Sequence, residues 1–218
     1  MYNIALRQYN AHLDHYNIYR EPIMENFYPF LAYVILTTFT PGPNNIMAMS
    51  NAVHAGYKRT LGFLTGIFIG FVIVMLLCGL LNVLLVNLLP QVKSWLNILG
   101  AAYMVYLAIH ILLSKSPGDN SNHNSSNSFL AGLNMQFLNL KVILYGVTVY
   151  STFIVQAYQN PIVIALFAPI LAFVGFIATS AWAISGDMFR TLFLKYNTAL
   201  NLVMSGLLIY TAIASLLH

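Results

Sequence analysis

The stretch FLAYVILTTFTPGPNNIMAMSNA (residues 30–52) places a helix break inside an apolar segment. The break lies about 14 residues after Phe27, which at the helical rise of 1.5 Å per residue is roughly 20 Å into a membrane core about 30 Å thick. Pro41-Gly42-Pro43 removes two backbone N–H groups and eases unwinding, so the carbonyls of Thr37 and Phe39 lose their helical partners. A carbonyl without a partner is costly in hydrocarbon, so the break requires protein or a watery cavity beside it.

The rest of the chain has the composition of a membrane protein. Of its 218 residues, 59% are hydrophobic and 6% are charged, against roughly 25% charged in a soluble domain. The net charge of +4 comes from basic residues scattered singly between apolar runs. Nucleic acid is therefore not expected as a partner, because binding it requires a clustered basic face. Cys78 is the only cysteine, which excludes an intrachain disulfide, a dithiol redox pair and a cysteine zinc site.

Six apolar segments follow a polar N-terminal tail at residues 1–25, which we expect to be poorly ordered. The tail has no apolar core of the kind found in secretory signals. The segments span approximately 27–52, 61–89, 94–113, 129–155, 161–186 and 198–217. A Ser- and Asn-rich loop at 114–128 separates the third segment from the fourth and is expected to be a hinge. The predicted membrane domain is therefore 26–218, with halves at about 27–113 and 129–217.

The two halves share a weak internal similarity. At an offset of 104 residues, LGAAYMVYLAIHILL (99–113) aligns with VMSGLLIYTAIASLL (203–217), and Tyr106 meets Tyr210. Because each half has three helices, an odd number, the second half would enter the membrane from the opposite side. The sequence thus predicts an all-α integral membrane protein with six transmembrane helices in two inverted three-helix repeats, as in many secondary transporters.

Basic residues are divided unevenly among the predicted loops. The loops after segments one, three and five carry five of them, whereas those after segments two and four carry only Lys93. The positive-inside rule then places both chain termini outside a bacterial cytoplasmic membrane that the chain crosses several times. Arg7 and Arg20 in the tail argue in the opposite direction.

Segment four carries a lysine at membrane depth, in the stretch Gln136-Phe137-Leu138-Asn139-Leu140-Lys141. Lys141 lies about 12 residues after Phe129, or roughly 18 Å along a helix. A lysine near the membrane centre costs at least about 2.5 kcal/mol, so either a cavity compensates it or its stem reaches the interface. We favour a cavity, with Asn139 as its neutral neighbour. Both motifs lie in the first helix of a half, so inverted symmetry would bring them together near the midplane.

A cavity built from these two motifs would suit a small zwitterion. Its carboxylate would bind Lys141 or the N-terminus of the half-helix that starts near Asn44, and its ammonium would bind freed carbonyls and amide oxygens. The predicted substrate-binding residues are Thr40, Pro41, Gly42, Pro43, Asn44, Asn45, Gln136, Asn139 and Lys141. No segment contains a cluster of histidines or carboxylates, so neither a metal nor another cofactor is expected. No nucleophile has a base partner that can be placed, so the chain is not expected to be an enzyme.

Two further features have simpler interpretations. Asp187 and Arg190 end segment five three residues apart and are interpreted as an interfacial pair. The sharper hypothesis is proton coupling through Asp187 or Lys141. Segment two carries three glycines at four-residue spacing, which predict close helix packing: Gly62, Gly66 and Gly70.

The motif TPGPNNIMAMSNA (40–52) resembles the signature of the lysine/homoserine exporter family (LysE/RhtB), six-helix exporters of amino acids and related metabolites. The resemblance extends over residues 24–218 and includes GAAYMVYLA (100–108). Many members carry Asn-Pro-Lys where this chain has Asn139-Leu140-Lys141. The missing proline points to a subgroup of the family. The stretches GFVIVMLLCG (70–79) and QFLNLKVILYGVTVYSTF (136–153) resemble the subgroup that exports cysteine and O-acetylserine.

The resemblance implies proton-coupled export of small neutral amino acids, with cysteine and O-acetylserine first. Homoserine, threonine or a branched-chain amino acid are alternative substrates. The single Cys78 disfavours a membrane thiol oxidoreductase. The sequence has no nucleotide-binding motif, so direct use of ATP is not expected. The expected partners are a small amino acid and the lipid bilayer, and a homo-oligomer is left open.

Overall fold

The computed structural model describes residues 22–113 and 128–217, and these ranges fold entirely into helices and their connections. In chain order the elements are α1 (Pro22–Phe39), α2 (Pro43–Ala55), α3 (Tyr57–Leu80), α4 (Asn82–Leu112), α5 (Phe129–Leu138), α6 (Leu140–Val149), a π-helical turn (Tyr150–Ile154), α7 (Val155–Ala157), α8 (Pro161–Met188), α9 (Arg190–Lys195) and α10 (Asn197–Leu217). The predicted all-α class is confirmed for the described part of the chain.

Several helices have the length and composition of membrane spans. Three stretches are long and apolar enough to cross a membrane: Tyr57–Leu80, Leu140–Ala157 and Pro161–Met188. Shorter apolar helices accompany them: Phe27–Phe39, Asn97–Leu112, Phe129–Leu138 and Thr198–Ala214. Large apolar side chains stay exposed along these helices, among them Ile69 and Leu77 on α3. Exposed apolar surface on this scale marks contact with lipid, so the chain is a multi-pass membrane protein.

Three helix boundaries differ from those expected from hydropathy. The second segment, expected at 61–89, ends as α3 at Leu80, and α4 begins at Asn82 rather than near 94. Leu81 between them has φ −101° and ψ 18°, but an apolar residue at a helix junction leaves no mark in a hydropathy pattern. Helix α1 begins at Pro22, so residues 22–25 of the expected tail are helical. The rest of the tail and residues 114–127 of the expected hinge lie outside the described residues.

Contact between α3 and α5 depends on glycine. A Cβ atom on Gly66 would lie 2.0 Å from the carbonyl oxygen of Phe129, and one on Gly132 would lie 2.1 Å from a carbonyl oxygen of α3. No side chain fits at these separations, so the two backbones lie directly against each other. The expected close packing is confirmed at Gly66 and Gly70, whereas Gly62 is exposed.

Helices from the two halves of the sequence pack against each other. Helix α8 lies along α3, and α10 lies along α4, where Ser205 Oγ donates a hydrogen bond of 2.9 Å to the carbonyl of Ala108. Helix α8 also approaches α2 closely, because a Cβ atom on Gly186 would lie 2.5 Å from the carbonyl oxygen of Met49. This packing holds α2, α3 and α8 around the point where the first and fourth segments meet.

Replacing Gly132 with Ala is expected to destabilise the folded protein, because the added methyl group would collide with backbone rather than with a movable side chain. Overpacking of this kind costs about 1–3 kcal/mol. Thermal unfolding of the purified protein in detergent measures the effect. The matched control is Gly206→Ala on α10, where an added Cβ meets nothing within 4 Å, so that alanine should be neutral or stabilising. Equal melting temperatures for the two variants would contradict the glycine contact.

Candidate functional site

The first apolar segment breaks where its prolines predict. Helix α1 ends at Phe39 and α2 begins at Pro43, which takes the first helical position, where a missing N–H is tolerated. Gly42 is extended, with φ −171° and ψ 173°, a conformation open to any residue. Glycine gives Lys141 room there, because a Cβ atom would lie 3.0 Å from Cδ and 3.1 Å from Nζ of Lys141, closer than most Cβ contacts.

The two carbonyls freed by the prolines are satisfied by side chains. The carbonyl of Thr37 accepts a hydrogen bond from Thr40 Oγ1 at 2.9 Å, and that of Phe39 accepts one from the indole Nε1 of Trp182 at 3.1 Å. Asn45 Nδ2 donates to two more carbonyls of this break, each at 2.9 Å. The chain itself therefore closes the end of α1, and its carbonyls are less open to a ligand than the sequence indicated.

The fourth apolar segment also breaks, although it has no proline there. Helix α5 ends at Leu138 and α6 begins at Leu140, with Asn139 between them at φ −86° and ψ 93°. The carbonyl of Asn139 accepts from the backbone N–H of Val142 at 2.9 Å and of Ile143 at 3.2 Å, which makes Asn139 the N-cap of α6. The Asn139 side chain makes no capping hydrogen bond to α6, so only its backbone carbonyl caps that helix.

Three buried amide side chains join the two breaks. Asn44 Nδ2 donates to Gln136 Oε1 at 2.8 Å. Asn44 Oδ1 accepts from Gln136 Nε2 at 3.2 Å and from Asn139 Nδ2 at 2.8 Å. Gln136 Nε2 also donates to the carbonyl of Gly132 at 3.1 Å. These bonds leave Asn139 Oδ1 buried and without a hydrogen-bond partner among the described residues, so one acceptor of the cluster is unused.

Lys141 forms a second link between the two breaks, in addition to the amide cluster. Its Nζ donates to the carbonyl of Thr40 at 3.0 Å, to Thr40 Oγ1 at 2.9 Å and to the carbonyl of Pro41 at 3.5 Å. A cation just beyond the C-terminus of α1 is stabilised by the partial negative charge that the helix dipole places there. The half-buried lysine is thus compensated by oxygen atoms of the other break.

A cavity of about 40 Å³ lies where the two breaks meet. Its walls come from the end of α1, the start of α2, Asn139 and α6, with α3 and α8 completing the enclosure. The lining residues are Thr37, Thr38, Gly42, Asn44, Asn45, Phe71, Asn139, Lys141, Val142, Tyr145, Gly175 and Thr179. None of them is acidic, so Lys141 is the one charged residue in this set.

The structure brings most of the predicted site residues together. Gly42, Asn44, Asn45, Asn139 and Lys141 line the cavity. The other four belong to the same junction without lining it: Thr40, Pro41, Pro43 and Gln136.

Asp187 does not join this group. It lies near the C-terminus of α8, where a Cβ atom on Gly56 would be 3.6 Å from its Oδ1 and 3.7 Å from Nη1 of Arg190. Arg190 Nη2 donates to the carbonyl of His54 at 3.0 Å. Of the two residues proposed for proton coupling, Lys141 therefore lines the cavity and Asp187 does not.

Sequence reasoning missed two aromatic residues of this region. Trp182 lies near the end of its apolar segment, a position typical of the interfacial aromatic belt, and nothing in the sequence links it to Phe39, which lies 143 positions earlier. Tyr145 lines the cavity one turn after Lys141. Its spacing of four residues from Lys141 could have predicted this, because residues four apart share one face of a helix.

Comparison with known proteins identifies the family. The family model described as LysE type translocator matches residues 35–218. A cysteine/O-acetylserine efflux protein of Klebsiella pneumoniae subsp. pneumoniae is 39% identical over 184 residues, which cover 84% of this chain and 93% of the relative. One of Escherichia coli (strain K12) is 39% identical over 84% of this chain and 94% of its own length. No solved structure matches significantly. The chain therefore belongs to the LysE family of translocators.

Proposed function

We propose that the chain is a secondary active exporter of small neutral amino acids and their derivatives, with cysteine and O-acetylserine as its main substrates. As a member of a translocator family with efflux relatives, it is a transporter and not an enzyme. The relatives named for efflux of these two compounds match 84% of the chain. The observation that carries the proposal is the meeting of two helix breaks around a cavity lined by one ammonium and no carboxylate.

The charges of the cavity complement an amino-acid zwitterion. The substrate carboxylate would bind the Lys141 ammonium and the first-turn N–H groups of α2, which have no acceptor within the helix. The substrate ammonium would donate to Asn139 Oδ1, the unused acceptor of the amide cluster. The carbonyls at the end of α1 are already occupied by side chains, so the acceptor role that the sequence suggested for them passes to Asn139.

Binding would also loosen the contact between the two breaks. A cavity of about 40 Å³ has room for only a few water molecules, each requiring about 10–15 Å³ on this measure. A substrate must therefore enter a more open state of the site. Its carboxylate would compete with the oxygens of Thr40 and Pro41 for Lys141, so substrate binding would weaken the bond that holds α1 to α6. This exchange links occupancy to the conformational change that transport requires.

The proposed architecture is six membrane helices in two inverted repeats at about 27–113 and 129–217, within a membrane domain at 26–218. Helices that such a repeat makes equivalent are neighbours, since α3 contacts α8, α4 contacts α10, and the two broken segments meet. An internal two-fold axis brings equivalent helices together in this way. The distribution of basic residues favours both termini outside the cytoplasmic membrane.

Coupling to protons belongs to the same proposal, with Lys141 as the more direct candidate. Removing its charge would weaken its bonds both to the substrate carboxylate and to the carbonyls of Thr40 and Pro41. Proton loss at this group would therefore act on binding and on the helix contact together. Asp187, beside Gly56 and Arg190, would act away from the cavity, at the cytoplasmic side in the proposed orientation.

The full-length protein in proteoliposomes is expected to transport labelled O-acetylserine and cysteine, and an imposed pH gradient should increase the net rate. Labelled lysine should be a poor substrate, because its second ammonium would face Lys141 in a cavity whose lining has no carboxylate. Threonine, homoserine and leucine in the same panel test the alternative substrates. Uptake of every neutral amino acid at the level of protein-free vesicles would overturn the proposed function.

Replacing Lys141 with Ala is expected to reduce kcat/KM for O-acetylserine transport to near background. Losing hydrogen bonds to a charged group costs about 1.5–3 kcal/mol, or roughly 10- to 150-fold. Lys195→Ala, on the exposed end of α9, is the control for loss of a positive charge and should keep full activity. Initial rates in vesicles with equal amounts of inserted protein provide the comparison. Unchanged transport by the Lys141 variant would remove this residue from the site.

Replacing Gly42 with Ala is expected to raise KM roughly tenfold while leaving the protein folded. The new methyl group would lie about 3 Å from the Lys141 side chain, which must then shift and so weaken its hydrogen bonds to Thr40. The measure is KM for O-acetylserine in vesicles, and Gly206→Ala is the control because its Cβ has open space. A wild-type KM in the Gly42 variant would show that the position of Lys141 is not critical.

A further inference from the structure

Tyr145 places an unused polar group at the same cavity. The residue lies on α6 one turn after Lys141, lines the cavity and is 3% exposed. Its hydroxyl is buried and has no hydrogen-bond partner among the described residues. Natural proteins rarely leave a buried hydroxyl unpaired, because burial without a hydrogen bond costs about 1–3 kcal/mol in protein mutational data. Since the described residues supply no partner and Tyr145 lines the cavity, a ligand in the cavity can supply one.

Aromatic neighbours hold the Tyr145 ring in place. The Tyr33 ring stacks nearly parallel to it, with centroids 6.0 Å apart and 5° between the planes. Phe71, which also lines the cavity, meets it edge-on at 5.8 Å. A ring packed between two others has few alternative rotamers, so the hydroxyl of this cavity-lining residue is held in a defined position.

We infer that the Tyr145 hydroxyl binds the polar atom at the end of the substrate side chain and thereby selects short polar amino acids over apolar ones. This inference rests on the proposed function, in which Lys141 holds the carboxylate and Asn139 Oδ1 holds the ammonium. Tyr145 lies four residues beyond Lys141, about 6 Å along the helix axis. Residues four apart share one face of a helix, so Lys141 and Tyr145 can contact the two ends of one small ligand in the cavity that both line.

The chemistry of a phenol suits both proposed substrates. Its O–H can donate to the ester carbonyl of O-acetylserine, and its oxygen can accept from the thiol of cysteine. Phe71 and Val142 supply apolar contacts for the methylene and methyl groups. A site that pairs a buried hydroxyl with a substrate atom discriminates against an analogue without that atom, because the hydroxyl is then left unpaired.

The chain contains a matched control for this hydroxyl. Tyr150, at the start of the π-helical turn, is also fully buried, and its hydroxyl also lacks a partner among the described residues. It is not one of the cavity-lining residues, and its ring packs instead against Gly79 of α3. Tyr145→Phe and Tyr150→Phe therefore remove the same atom from equally buried rings, with only the first change at the cavity.

The test compares dissociation constants for O-acetylserine and norleucine, which has a side chain of similar length without polar atoms. Calorimetric titration of the full-length protein in detergent measures both, and proteoliposome counterflow is run alongside. Tyr145→Phe is expected to weaken O-acetylserine binding roughly three- to tenfold, the value of one hydrogen bond. Norleucine binding should stay unchanged or tighten, because the variant has no hydroxyl to leave unpaired, and Tyr150→Phe should change the affinity for neither ligand. Thermal unfolding of both variants verifies that they are folded.

Three results would overturn the inference. An unchanged affinity for O-acetylserine in Tyr145→Phe would show that the hydroxyl does not bind this substrate. An equal loss for both ligands would show that it serves the common amino-acid backbone or the packing. If the wild-type protein neither bound nor transported any amino acid in the panel, the proposed function would fail and this inference with it. An active wild type with an unchanged preference in the variant would refute the inference alone.

Discussion

The structure depends on the requirement that backbone carbonyls inside a membrane find hydrogen-bond donors. Two prolines remove the donors of Thr37 and Phe39, and the chain replaces them with the Thr40 hydroxyl and the Trp182 indole. Asn45 caps two further carbonyls of the same break. Because Trp182 lies on α8 and Lys141 on α6, satisfying this one helix end fixes α1 against two elements of the second half of the sequence.

The second break is held by different chemistry. Asn139 has no proline beside it, yet its extended backbone is stabilised from both sides, by its capping of α6 and by its side-chain bond to Asn44. Gln136 completes the cluster and is itself packed beneath Gly70 of α3. Buried amides are costly unless their groups are paired, so Asn139 Oδ1, the one side-chain atom of this cluster without a partner among the described residues, indicates where a ligand could bind.

The sequence predicted the features that arise from local chemistry and from the cost of burial. Proline geometry located the first break, and the penalty on a charge at membrane depth identified Lys141. Features that depend on contacts between residues far apart in the sequence could not be predicted from it. Trp182 donates to a residue 143 positions away, and any indole of the chain had the same chemistry. Leu81 joins two helices inside an apolar run, so the hydropathy of the sequence does not change at the junction and cannot locate it. The carbonyls expected to hold a substrate ammonium already accept hydrogen bonds from side chains. The sequence could not predict this, because it does not show which donors lie near them in the fold.

Lys141 has a double role under the proposed function, and that role explains why a neutral zwitterion suits this site. In the closed structure the ammonium is compensated by three oxygens at the end of α1. A substrate carboxylate offers the lysine a full negative charge in place of neutral oxygens, a stronger partner in a dry environment. A ligand shifts a conformational equilibrium only by the difference in its affinity for the two states. A carboxylate that takes Lys141 from α1 supplies that difference, whereas a cation without a carboxylate would leave the closed contact intact.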